Sequence, residues 1–120
     1  MLNLNVLLRA LAVLAPIILV ILTIVPAAER PVTVLPHDLE HFAAFCLTGL
    51  IYGFVFARRL GLLLVLAVGF AAVIEVLQIP LATRHARWED LLVDSAALCL
   101  GVLLGRLART VAPRPASLPE

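Results

Sequence analysis

The chain has no lysine, little charge of either sign and few aromatic rings: charged residues make up 14% of its 120 residues and aromatic ones 6%. A surface this poor in charge cannot keep a soluble domain in solution, and 63% hydrophobic residues lies far above the apolar share of soluble domains. All the basic residues are arginine, and the net charge is +1. No basic surface is left over for a nucleic-acid backbone, which excludes nucleic-acid binding. Cysteine is scarce too. Cys46 and Cys99 each lie inside an apolar run and lack the paired spacing of a zinc site or a redox dithiol. No G-x-S-x-G elbow, metalloprotease histidine pair or phosphate loop is present, so no nucleophile can be assigned.

What the sequence has is long apolar runs. A hydrocarbon core about 30 Å thick needs roughly 20 apolar residues per helix, and the chain holds four such stretches. They run at about 4–26, 39–57, 60–79 and 88–108. This predicts an all-α fold, a single-domain bundle of four transmembrane helices over residues 1–120 with a proline-rich disordered tail at 110–120. The charge-free stretch from Ala10 to Ala28 is longer than the apolar core of a signal peptide, so the first run reads as a retained span, with a kink at Pro16. Pro80 closes the third span, and Trp88 opens the fourth as an interfacial aromatic.

The arginines divide unequally. Arg9, Arg58, Arg59, Arg106, Arg109 and Arg114 fall on one side of the four spans, and Arg30, Arg84 and Arg87 on the other. The positive-inside rule then places both termini in the cytoplasm of a multi-pass inner-membrane protein. The acids crowd the opposite end: Glu29, Asp38, Glu40, Glu75, Glu89, Asp90 and Asp94 all lie in or within two turns of the outer loops, and only Glu120 lies at the other end.

Several of these polar residues sit inside the apolar runs, where an acid costs about 2.5–3.5 kcal/mol on insertion scales and is expected to face protein or a water-filled cavity. Glu75 and Gln78 share one face of the third span. His41, Phe45, Thr48 and Tyr52 share a face of the second, with His37 one turn before. In the fourth, Asp90 and Asp94 begin a stripe that continues through Ala97, Gly101, Gly105 and Ala108, small residues suited to close helix packing, while Leu92, Leu100 and Leu103 face lipid. Gly49 and Gly53 form another small pair, read as helix packing. The candidate pocket therefore comprises His41, Glu75, Gln78, Arg84, Arg87, Asp90 and Asp94, with no cofactor and no metal assigned.

Three blocks of these residues resemble the VanZ-like family, small membrane proteins named for a member associated with resistance to the glycopeptide teicoplanin. They are Glu40-His41-Phe42 opening the second span, Glu75-Val76-Leu77-Gln78 closing the third, and Arg84 through Asp90 to Asp94 entering the fourth. The resemblance covers roughly residues 35–105. His37 and Asp38 stand where the family often has an Asp-Lys pair, Asp94 where it often has asparagine, and Ala97 where it usually has glycine. The resemblance implies a four-helix bundle in the cytoplasmic membrane and a role at the cell envelope, without supplying a reaction.

These readings give three functional expectations. The first is recognition of a lipid-linked envelope precursor or a peptide or glycopeptide component, with Arg84 and Arg87 gripping an anionic group through forked hydrogen bonds. The second is a membrane-embedded enzyme using Glu75, Asp94 and His41 in acid–base chemistry. The third is a polar clamp that only fixes helix order. A proton-relay transporter fits less well, since Leu62 to Ile74 contains no ionisable group. Membrane lipids are the expected partners, and a homo-oligomer is compatible with the sequence.

Overall fold

The computed structural model describes residues 3–25, 34, 36–80 and 88–113. Among these residues the chain is all helical, with no strand: α1 (Leu4–Ile24), α2 (His37–Val55), α3 (Leu60–Gln78) and α4 (Trp88–Val111). All four are long and apolar enough to cross a membrane, which fits a multi-pass membrane protein. Most of their large aliphatic side chains point away from the protein, including Leu92, Leu100 and Leu103 on α4. In lipid that exposure is favourable rather than costly.

The helix ends follow local chemistry. Asn3 caps α1, its side chain accepting from the Asn5 backbone N–H at 3.2 Å. α1 continues through Pro16, as spanning helices tolerate where neighbours and side chains re-satisfy the backbone. α2 begins at His37 behind Pro36, two residues before the expected boundary, which puts Asp38 and Glu40 in its first turn, at the positive end of the helix dipole. A tight turn joins α2 to α3, with the Arg59 N–H donating to the Phe56 carbonyl, so these two helices run antiparallel. α3 stops as Pro80 approaches. α4 runs on to Val111, past the point where the tail was expected to begin; the remaining tail residues 114–120, and the connectors around 26–33 and 81–87, lie outside the described residues.

The largest interface is between α2 and α4, followed by α3 with α4. α1 packs on α2 and α3. The reason for the close α2–α4 contact is glycine. A Cβ built on Gly49 would fall on the Leu98 carbonyl oxygen, one on Gly53 on the Val102 carbonyl oxygen, one on Gly101 on the Cys46 carbonyl oxygen, and one on Gly105 on the Leu50 carbonyl oxygen. Both helices thus bring a G-x-x-x-G pair to the same seam, and each backbone occupies the space that a side chain would need. The partners advance together along both chains, from Cys46 with Gly101 to Leu50 with Gly105, so α2 and α4 are parallel. Below the polar residues, Phe45, Ala71, Ile74, Ala97 and Leu98 form a buried apolar layer joining α2, α3 and α4, with Leu19 reaching it from α1.

The same geometry separates glycines that cannot change from those that can. Gly101→Ala and Gly105→Ala are expected to overpack the seam and lower stability by about 1–3 kcal/mol, read as a reduced thermal midpoint of detergent-purified protein. Gly61→Ala and Gly69→Ala place their Cβ where nothing lies within 4 Å; they are expected to leave that midpoint unchanged or raise it slightly.

Candidate functional site

The parallel register of α2 and α4 fixes which polar side chains can meet. His41 lies two turns before Gly49, and Asp94 lies two turns before Gly101, so close packing of the glycines sets the two side chains at one level. His41 Nε2 is 2.8 Å from Asp94 Oδ1. That approach is within ion-pair distance, though its geometry is not that of an aligned hydrogen bond.

The two partners differ in environment. Asp94 is completely buried, whereas the His41 side chain is 23% exposed. The carboxylate therefore anchors the pair from inside the bundle and the imidazole forms its accessible side. His41 is also packed against Phe45 on the next turn, ring centroid to centroid 4.7 Å, which limits the angles it can take. Neither carboxyl oxygen of Asp94 makes a hydrogen bond of good geometry among the described residues, so its contact with His41 is electrostatic.

α3 contributes Glu75 and Gln78, both buried, at 7% and 4% exposure. They follow Ala71 and Ile74 of the apolar layer, while on the oppositely running α2 and α4 His41 precedes Phe45 and Asp94 precedes Ala97 by one turn. A buried polar level at the end where α2 and α4 begin and α3 ends thus sits on a buried apolar one. Thr48 is buried too, but its hydroxyl donates to the Ala44 carbonyl at 2.9 Å within α2, an intrahelical bond that asks for no ligand.

Of the residues singled out from the sequence, His41 and Asp94 are brought into direct contact, and Glu75 and Gln78 are buried at the same end of the bundle. Asp90 departs from expectation. It is exposed, because it stands one turn beyond the His41–Asp94 pair, level with the first turn of α2, where the helix seam ends; the packed stripe of α4 begins at Asp94. At the other end of the stripe Ala108 is exposed as well. Arg84 and Arg87 lie outside the described residues. Three or more potential metal ligands gathered at one point are not found among the described residues. An open apolar groove of about 320 Å³, lined by Pro16, Ile17, Val20, Ile21 and Phe70, lies between α1 and α3, nearer mid-span than the polar level.

Comparison with protein-family models, curated proteins and solved structures gives no match. The reading of the site therefore rests on its own residues.

Removing one partner of the pair should cost more than removing both. His41→Ala leaves a buried carboxyl without its imidazole and is expected to destabilise the protein by about 3–5 kcal/mol. Asp94→Leu combined with His41→Ala exchanges the pair for apolar groups and is expected to recover a substantial part of that loss. Chemical or thermal unfolding of the single and double variants, analysed as a double-mutant cycle, measures the coupling.

Proposed function

We propose that the chain is a VanZ-like protein of the cytoplasmic membrane, with both termini on the cytoplasmic side, whose polar level recognises a lipid-linked or peptide or glycopeptide component of the cell envelope. The observation that carries this reading is the burial of Asp94 against His41, and of Glu75 and Gln78, at the same end of an otherwise apolar bundle. An apolar filling of similar volume is often as stable as a buried ion pair or more so, and ionisable groups kept inside a spanning segment usually mark function. The orientation is supported by Arg58, Arg59, Arg106 and Arg109, which all lie at the other end of the α2–α3–α4 unit. In this reading His41 forms the accessible edge of the site, Asp94 holds its ring, and Glu75 and Gln78 supply acceptor and donor groups from α3. Arg84 and Arg87, in the connector leading to α4, are assigned the anionic part of the ligand.

A second reading has a specific observation in its favour. The 2.8 Å approach of His41 Nε2 to the buried Asp94 Oδ1 resembles the arrangement in which a buried acid orients a histidine that gives or takes a proton. Acid–base chemistry on a bound envelope component would use the same residues.

Glu75→Gln retains side-chain shape and so separates function from folding. It is expected to abolish the protein's effect on envelope-antibiotic sensitivity, teicoplanin included, while the amount of folded protein in the membrane stays near that of the unaltered chain. Abundance falling in step with the phenotype would reduce the polar level to a clamp between helices.

A further inference from the structure

The end of the bundle away from the polar level carries a charge pattern of its own. Arg58 and Arg59 lie in the turn between α2 and α3, and Arg106 and Arg109 lie in the last turns of α4. The glycine seam brings the two groups together: Gly105 packs against Leu50 and Phe54, and one turn later the Arg109 guanidinium lies 5.5 Å from the centroid of the Phe54 ring. Phe54 is in turn four residues before Arg58. Arg109 is thereby fixed at the end of α2, close to where the turn begins, while Arg58, Arg59 and Arg106 are exposed around it. Every acid among the described residues, Asp38, Glu40, Glu75, Glu89, Asp90 and Asp94, is on the first turns of α2, the last turn of α3 or the first two turns of α4.

We propose that this end of the protein binds the headgroup phosphate of an anionic phospholipid, with Arg58, Arg59, Arg106 and Arg109 as its contact residues. Three features point to that partner. The patch lies at the ends of spanning helices, the depth at which lipid phosphates lie. It is made of arginine alone, whose planar fork matches phosphate oxygens in pairs, where lysine would act only as a point charge. It is flanked by lipid-facing apolar side chains, including Phe56, Leu62, Leu104 and Leu107, so a phosphate bound here has apolar surface beside it for the acyl chains of the same molecule. A soluble anion would use the first two features and gain nothing from the third. Basic clusters just cytoplasmic of spanning helices select anionic lipids for these reasons. This inference depends on the helices spanning a membrane and is independent of the reading given to the polar level.

The test uses the full chain in neutral detergent, titrated with phosphatidylglycerol or phosphatidylcholine and read by native mass spectrometry as the fraction of protein carrying lipid. Phosphatidylglycerol is expected to be retained in preference to phosphatidylcholine. With a gain of about five-fold per arginine near an anionic surface, Arg106→Gln with Arg109→Gln is expected to weaken retention by about 25-fold. Arg106→Lys with Arg109→Lys, which keeps the charge and loses the fork, is expected to fall between. Should the glutamine pair fail to fold, Arg58→Gln with Arg59→Gln alters only the turn and is expected to give a similar loss. Equal retention of the two lipids, or full phosphatidylglycerol retention in either glutamine variant, overturns the proposal. Release of phosphatidylglycerol by millimolar inorganic phosphate overturns it too, assigning the patch to a free anion.

Discussion

The close approach of α2 and α4 is the constraint on which the other features rest. Each helix presents a glycine pair to the other, and each backbone fills the volume that a Cβ would have taken. In a membrane, where burying aliphatic surface gives helices little reason to associate, such contact supplies dispersion energy and fixes axial register at once. That register decides the rest. It sets His41 opposite Asp94 at one end and Arg109 over Phe54 at the other. A shift of one turn would leave a carboxyl buried without its imidazole.

Charge placement along the bundle follows the membrane more than it follows the individual helix. In α2 and α4 the acids lie at the N-terminal end, where the helix dipole favours them, and in α4 Arg109 lies in the favourable last turn. α3 runs the other way and its charges are reversed with respect to its own dipole: Arg59 stands at its N-terminus and Glu75 near its C-terminus. A dipole effect of a few tenths of a kcal/mol is therefore overruled. What the helices share is an acidic end and an arginine end, and the two ends carry separate interactions.

Much of this was legible before any coordinates. The four spans follow from apolar run length, and the boundaries at Pro80 and Trp88 from proline chemistry and an interfacial aromatic. The packed face of α4 follows from Ala97, Gly101 and Gly105, and its lipid face from Leu92, Leu100 and Leu103. The partner of that face was written in the sequence as well: His41 followed by Gly49 and Gly53 has nearly the spacing of Asp94 followed by Gly101 and Gly105. Two helices with a polar residue two turns ahead of a glycine pair can satisfy both contacts only when parallel and in register. Asp90 marks where such reasoning stops. Periodicity gives the face of a helix, and Asp90 shares that face with Asp94; it does not give the height at which the neighbouring helix begins.

The most direct measurement is a dipolar recoupling experiment by solid-state NMR on the bilayer-reconstituted chain, labelled with 15N in histidine and 13C in the aspartate carboxyl. Strong dephasing between His41 Nε2 and the Asp94 carboxyl carbon is expected, as a 2.8 Å approach of nitrogen to carboxyl oxygen requires. Absence of that coupling, with His41 behaving as a water-exposed imidazole, would contradict the parallel α2–α4 register and the buried pair built on it.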